Sequence, residues 1–299
     1  MQALHLLSPI LVISTSFIGF NRGNSASRRP ALVALGRNYS WDYLLFTQRW
    51  PTSLCRVDNQ LSPGSCAVPP HDHFWTVHGL WPTRTGEKGP VFCRPRKKFN
   101  ISTLLPIEKE LAERWPNLLA KQSASSLWRH EWEKHGCCAL NNSLLSGEAN
   151  YFGKSLQLNG QFDLYRVLAN AGIEPSETQA RTTDELTQPL QKFVGFRGLL
   201  YCVRSKKEGK WFVANYRICV DKTLKPFDCP KKKHFGNGDN RLAVVQPCPA
   251  DATIYYPPVT TVQDLRRPSL VDLAAQTLSS IFRHSVTSRS FFLCNAAAC

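Results

Sequence analysis

Two short stretches of the sequence, WTVHGLWP at Trp75–Pro82 and HEWEKHGCC at His130–Cys138, hold more proton-transferring side chains than any other part of the chain. Together they contain three histidines, two glutamates and a lysine. In the first stretch the β-favouring run Phe74–Val77 precedes His78 and Gly79 follows it, which predicts that His78 ends a strand at a turn. Such a position would present the imidazole at a cleft.

The second stretch is rich in helix-forming residues. One helical face, about 140° wide at about 100° per residue, carries His130, Glu131, Lys134 and His135. Two histidines from separate segments, one neutral and one protonated, are what general base and general acid catalysis require near neutral or mildly acid pH. A nearby lysine supplies positive charge where a phosphorane develops negative charge. RNA fits this chemistry because its 2′-hydroxyl is an internal nucleophile.

Two other interpretations apply to the same histidines. They could be buried structural residues on an ion-paired helix face. A zinc site of the HExxH type needs histidines four residues apart, whereas His130 and His135 are five apart and diverge by about 140°.

His71 and His73 follow Pro69-Pro70, which predicts a solvated loop. The sequence therefore predicts no metal and no cofactor.

Both stretches resemble the two active-site segments of the ribonuclease T2 family, the acid endoribonucleases of the secretory and lysosomal route. They match nearly residue for residue, and a weaker resemblance runs from about Asp42 to about Pro258. The resemblance implies a single ribonuclease T2-like domain with a central antiparallel sheet packed by several helices. It also implies metal-independent cleavage of single-stranded RNA, in which the 2′-oxygen attacks phosphorus to give a 2′,3′-cyclic phosphate and a free 5′-hydroxyl.

The same resemblance implies roles for individual residues. His135 would be the general base and His78 the general acid on the leaving 5′-oxygen, although the two assignments could be exchanged. The phosphate and the transition state would be contacted by Glu131, Lys134 and His130.

The aromatic residues around His78 add a possible base site. Phe74, Trp75 and Trp81 could stack on splayed bases or belong to the core, and Trp81 matches a base-site position in the family. Many relatives carry Asp after the WTVHGLWP stretch, where this chain has Thr83. The base preference is therefore open.

The excess of basic residues in the sequence favours a polyanionic partner. The chain of 299 residues has 37 basic and 22 acidic residues, a net charge of +15, and its 42% hydrophobic content indicates a globular protein. Basic clusters at Arg94–Lys98 and Lys231–Lys233 would attract RNA without selecting a base. The alternative function is a secreted, catalytically idle polyanion-binding glycoprotein, which would have no reason to keep the whole set of proton-transferring residues.

The N-terminal region predicts entry into the secretory pathway. An apolar run at Leu6–Phe20 precedes small residues near Ala26, which predicts a signal peptide over residues 1–26. An uncleaved anchor is the alternative, but about fifteen residues are short for a bilayer span. Three sequons begin at Asn38, Asn100 and Asn141. The expected destination is the lysosome lumen, the endoplasmic reticulum lumen or the extracellular space.

Eleven cysteines also favour an oxidising compartment. The family resemblance implies the pairs Cys55–Cys66, Cys93–Cys138, Cys202–Cys248 and Cys219–Cys229. Cys137, Cys294 and Cys299 remain, and the adjacent cysteines leave open whether Cys137 or Cys138 is bridged. An odd count allows a free thiol or a link between chains, although a monomer is expected.

Local patterns predict an α+β fold. The expected helices are Leu104–Trp115, Ala120–His135, Phe162–Ala171 and Asp184–Val194, and the expected hairpin strands are Leu199–Val203 and Trp211–Val220. Residues 40–256 contain no internal repeat and no low-complexity linker, which favours a single catalytic domain, assigned to residues 27–256. Residues 257–299 form an atypical tail with helical spacing at Leu270–Phe282, which could be a packed helix, a partner-binding helix or an alternative C-terminus.

Overall fold

A computed structural model describes residues 39–70, 73–94, 98–230 and 244–259. The predictions that lie outside these residues are the signal peptide over residues 1–26, the Asn38 sequon, His71, residues 95–97 of the first basic cluster, the cluster Lys231–Lys233, and the tail from residue 260 with Cys294 and Cys299.

The strands are Tyr43–Arg49 (β1), Thr76–Thr83 (β2), Ala180–Arg181 (β3), Leu199–Arg204 (β4), Trp211–Val220 (β5), Pro226–Phe227 (β6), Val245–Pro247 (β7) and Ile254–Tyr255 (β8). The α-helices are Pro51–Leu61 (α1), Glu108–Arg114 (α2), Ala124–Lys134 (α3), Glu148–Gln161 (α4), Leu164–Asn170 (α5) and Thr183–Val194 (α6). Short 3-10 helices cover Ile101–Ile107, Gly136–Ala139 and Ser143–Leu145.

The strands form one sheet whose main path runs β2-β1-β5-β4-β7, with every neighbour antiparallel. Short β8 adds a parallel pair with β5. The α+β class and the central antiparallel sheet are therefore confirmed, as is the β4–β5 hairpin, and that single parallel pair makes the sheet mixed.

Both faces of β1 are covered. Leu44 and Phe46 pack into the main core, whereas Tyr43 and Leu45 pack with Trp81 in a smaller cluster on the other face. All seven residues of β1 are buried. A strand buried on both faces lacks the alternation of apolar and polar residues by which strands are recognised in a sequence. For this reason the sequence pattern does not predict β1.

Two of the predicted helices have different bounds. The single helix expected over Leu104–Trp115 is wrong, because the chain forms a 3-10 helix containing Pro106 before α2 begins. The residue before a proline is disfavoured in the α conformation, so a regular α-helix begins after Pro106 and not at Leu104. The helix expected over Ala120–His135 begins only at Ala124 and ends at Lys134, and His135 has non-helical φ and ψ of −122° and −51°.

The other two helices are close to expectation. Helix α5 begins after Asp163, whose side chain accepts a hydrogen bond from the Arg166 N–H at 3.1 Å. Helix α6 begins after Thr182, which forms a reciprocal capping box with Glu185. Helices α1 and α4 were not predicted from the sequence.

Residues just after the predicted domain boundary at residue 256 contact the core, and the boundary itself stays a prediction. The indole N–H of Trp50 donates to the Pro257 carbonyl at 2.8 Å, and Val259 packs against the main core. Within the described residues, no helix has the length and apolar character needed to cross a membrane.

The structure contains disulfides Cys55–Cys66, Cys93–Cys138, Cys202–Cys248 and Cys219–Cys229. The second bridge joins the loop after β2 to the turn after α3, where the Phe92 N–H also donates to the Lys134 carbonyl at 2.9 Å. Cys137 is buried beside this bridge, with its Sγ 3.9 Å from the Cys138 Sγ. The bridge thus ties together the two catalytic stretches predicted from the sequence.

Peptide mapping of the unreduced protein is expected to recover Cys93 joined to Cys138, because that pairing connects the two stretches without moving either. The same digest after reduction is the control and should release both peptides. Recovery of Cys93 joined to Cys137 would contradict the arrangement of this turn.

Candidate active site

His78 lies inside a strand and does not end one, so the predicted strand end at this residue is wrong. Strand β2 pairs with β1 through Gly79 opposite Thr47 and Val77 opposite Gln48, which leaves His78 as an extra residue between two paired ones. This is the arrangement of a β-bulge, a feature that redirects a side chain and is common beside active sites.

Hydrogen bonds hold the backbone of the bulge in place. The indole N–H of Trp115 donates to the His78 carbonyl at 3.1 Å, and the hydroxyl of Tyr151 donates to the Leu80 carbonyl at 2.8 Å. Trp115 and Tyr151 are fully buried. Buried side chains of the main core therefore fix the backbone that carries the half-buried imidazole of His78.

Helix α3 supplies the second part of the site. Glu131 is 2% exposed and His135 1% exposed, while His130 and Lys134 are half-buried. His135 lies just beyond the helix, although its N–H still donates to the Glu131 carbonyl at 3.0 Å. The prediction that His135 lies on the helical face is corrected, because its backbone has left the helix.

Trp81 connects the two stretches. Its indole N–H donates to Glu131 Oε2 at 2.9 Å, and its ring centroid lies 5.1 Å from that of His78 and 5.4 Å from that of His135. The structure thus brings His78, Glu131 and His135 around one indole. Trp81 is 3% exposed, and contact between this residue and a base stays a prediction.

Gly79 permits the close approach of these groups. A Cβ atom at this position would overlap Trp81 Nε1 and Glu131 Oε2. Glycine is therefore required by the distance between β2 and α3 and not by an unusual backbone angle.

Substitution of Gly79 by alanine is expected to lower kcat/KM by about tenfold to a hundredfold, because displacement of catalytic groups by about 1 Å can cost about a hundredfold. The matched control is Gly153→Ala in α4, where an added Cβ meets nothing within 4 Å. Kinetics of both variants on the same RNA provide the test. Equal activity of the two would show that the Trp81–Glu131 contact does not matter.

Electrostatics favour the neutral form of both imidazoles. Burial lowers the pKa of His78 well below its usual value, and the charges of Arg49, Arg217, His135 and Lys134 lower it further. Burial likewise lowers the pKa of His135, followed by the charges of Lys134 and His130. The Nδ1 atom of each ring is buried and has no hydrogen-bond partner among the described residues. Each ring is therefore less readily protonated than a solvent-exposed histidine.

Sequence reasoning missed several residues behind the site. Arg49 on β1 donates to the Pro116 carbonyl, and Arg217 on β5 packs over the ring of Trp81 at 5.5 Å. The sequence does mark Arg217 as unusual, because a charged residue stands in the middle of the strand-like run Trp211–Val220. The residues that Arg217 contacts are distant in sequence, so this observation did not identify them.

The remaining predicted residues lie elsewhere. His73 is exposed, as the predicted loop requires, and its Nδ1 lies 3.4 Å from the Tyr165 hydroxyl. Trp75 belongs to the core at 1% exposure. Asn100 and Asn141 are exposed, and glycosylation of both stays a prediction.

One group of potential metal ligands is found among the described residues, and it lies at the disulfide and not at the histidines. It consists of Cys93, Cys137 and Cys138. Two of these three sulfurs are joined to each other.

Comparison with known proteins shows which proteins this chain resembles. The sequence model of the Ribonuclease T2 family matches residues 41–229. The chain is 34% identical to "Ribonuclease Oy" of Magallana gigas over 221 residues, which cover 73% of this chain and 97% of that protein. It is 30% identical to "Ribonuclease T2" of Homo sapiens over 234 residues, which cover 74% and 86% of the two chains. Among solved structures, RNase NT in complex with 5′-AMP is similar with a TM-score of 0.61 and 28% identity, covering 74% of this chain and all of that one.

Proposed function

This chain belongs to the ribonuclease T2 family and is a T2-type endoribonuclease, and from that membership we propose that it cleaves single-stranded RNA by transesterification without a metal ion. The observation that carries the proposal is the placement of His78 and His135 beside one indole, with ring centroids 5.1 and 5.4 Å from that of Trp81. Two imidazoles so close can act on the two oxygens of one phosphodiester.

In the first half of the reaction, His135 removes the proton of the 2′-hydroxyl, and the 2′-oxygen forms a bond to phosphorus. Lys134 at the end of α3 stabilises the negative charge that develops on the phosphorane oxygens, together with His130. Both cations are half-buried, so their charges are screened less by solvent than on an open surface.

In the second half, the bond between phosphorus and the 5′-oxygen breaks. His78 donates its proton to that oxygen, which leaves as a 5′-hydroxyl, and the other product carries a 2′,3′-cyclic phosphate. Burial and then the charges of Arg49, Arg217, His135 and Lys134 make protonated His78 a stronger acid by lowering its pKa. Because its pKa is lowered, His78 is protonated in a larger fraction of the molecules as the pH falls.

Glu131 has a positioning role in this proposal. Its carboxylate accepts the Trp81 N–H, and Trp81 in turn lies against both histidines. A carboxylate at this place also balances part of the positive charge contributed by His130 and Lys134. Glu131 therefore fixes the geometry of the imidazoles and limits the electrostatic cost of the site.

The proposed location is the secretory route, with a destination in the lysosome lumen, the endoplasmic reticulum lumen or the extracellular space. Four disulfides support it, because such bonds persist in oxidising compartments. The proposed partner is single-stranded RNA, which a chain with a net charge of +15 attracts by long-range electrostatics. A monomer is proposed.

The test incubates the purified protein with an RNA oligonucleotide and EDTA at about pH 5, where one of the two imidazoles can be protonated. The control is the oligodeoxynucleotide of the same sequence, which lacks the 2′-hydroxyl nucleophile at every position. Cleavage of the first alone, with cyclic phosphate ends, is expected. RNA binding without cleavage would favour the idle polyanion binder, and activity abolished by EDTA would contradict the metal-free mechanism.

A further inference from the structure

Arg217 lies in the sheet directly beside the site. It stands opposite Thr47 of β1, and Thr47 stands opposite Gly79 of β2, so these three residues form one row across three strands. The next residue before Gly79 is His78 at the bulge. Side chains of residues paired in this way lie on the same face of the sheet, so Arg217 lies on the face of Gly79, one residue along the strand from His78.

Two aromatic rings hold the guanidinium of Arg217. Its central carbon lies 3.7 Å from the Tyr201 ring centroid and 5.5 Å from that of Trp81. The residue is 5% exposed, and among the described residues Nε and Nη1 have no hydrogen-bond partner. A buried cation that packs against aromatic rings and has no carboxylate partner among the described residues is costly for folding. Buried ionisable groups of this kind are concentrated at functional sites.

We propose that Arg217 is a positioning residue for the reaction, which holds the Trp81 indole by a cation–π contact and places a fixed positive charge near His78. This inference rests on the proposed function, since Trp81 connects Glu131 to His78 and His135. Arg217 touches neither the RNA nor the reacting atoms in this proposal. It acts through the indole and through its charge.

The charge has a definite direction of effect on His78. The charged groups that face this imidazole are Arg49 from β1, Arg217 from β5, Lys134 from α3, His135 after α3, and the Glu131 carboxylate through Trp81. The Arg217 charge lowers the pKa of His78. Removal of that charge therefore raises the pKa, whereas a lysine at the same position keeps the charge and loses the planar contact with Tyr201 and Trp81.

The experiment compares Arg217→Met and Arg217→Lys by the pH dependence of kcat/KM on a dinucleotide substrate. In the methionine variant we expect one limb of the profile to move to higher pH and kcat/KM at the wild-type optimum to fall about tenfold, less than the hundredfold of a displacement of about 1 Å. In the lysine variant both limbs should stay in place. The limb that moves belongs to His78, so it also assigns that residue as acid or base.

Stability is measured in parallel, and replacement of a buried cation by an apolar side chain is commonly tolerated. The matched control is Arg204→Met, because Arg204 on β4 is exposed and stacks over Trp211 at 5.7 Å. Its profile should equal that of the wild type. Unchanged limbs in folded Arg217→Met, or an equal movement in the methionine and lysine variants, would overturn the inference. Failure of the wild type to cleave the dinucleotide would instead overturn the proposed function.

Discussion

Replacement of His78 by alanine is expected to lower kcat/KM on RNA by about 10² to 10⁴-fold, the usual contribution of one general acid or base. The imidazole is the only part of the residue used in the proposed chemistry, whereas its backbone carbonyl is held by Trp115. The bulge should therefore persist in the variant. Folding is checked by the thermal transition, and activity by initial rates on a dinucleotide.

Two comparisons make this prediction specific to catalysis. His73→Ala is the matched control, because His73 is an exposed loop histidine that contacts Tyr165, and it should cleave at a rate near that of the wild type. The double variant His78→Ala, His135→Ala should lose little more than the worse single variant, since residues that act as a unit are not additive. Near-normal cleavage by folded His78→Ala would contradict the mechanism.

Substitution of Lys134 by methionine is expected to lower kcat by about 10² to 10³-fold, the cost of removing one preorganised stabiliser of developing negative charge. It should also change the pH profile. The Lys134 charge lowers the pKa of both His135 and His78, so its removal raises both values. Both limbs of the profile should then move to higher pH.

Lys192→Met provides the matched control for Lys134. Lys192 also lies in the last turn of a helix, but on the exposed surface of α6. We expect its kinetics and its pH profile to equal those of the wild type. A Lys134→Met enzyme with lowered kcat and unmoved limbs would mean that the lysine does not act on the histidines electrostatically.

The composition of the site could be predicted from the sequence because its residues lie in two dense stretches. Glu131 and His135 are separated by about one helical turn, so helical spacing places them together. The β4–β5 hairpin was predictable for the same local reason, since two strand-like runs flank a turn containing Gly209. That glycine has a φ of 68°, in the left-handed region that favours glycine.

The geometry of the site could not be predicted from local patterns. The bulge at His78 depends on its register with β1, a strand whose sequence shows no alternation because both of its faces are buried. The contact between Trp81 and Arg217 joins strands that are 136 positions apart in the chain, and no local rule connects them. Pro106 was visible in the sequence, and because it disfavours the α conformation at Leu105 it should have moved the start of the predicted helix Leu104–Trp115 to a later residue.

The most direct measurement of two-histidine catalysis is the pH dependence of kcat/KM for the wild type on a dinucleotide substrate in EDTA. This parameter reports the pKa values of the free enzyme, and burial together with Lys134 lowers the pKa of both His78 and His135. We therefore predict a bell-shaped profile with its maximum below about pH 6.5, the ordinary pKa of histidine. A rate that climbs steadily through about pH 8 would contradict it, because a site that needs one protonated histidine gains nothing when both are neutral.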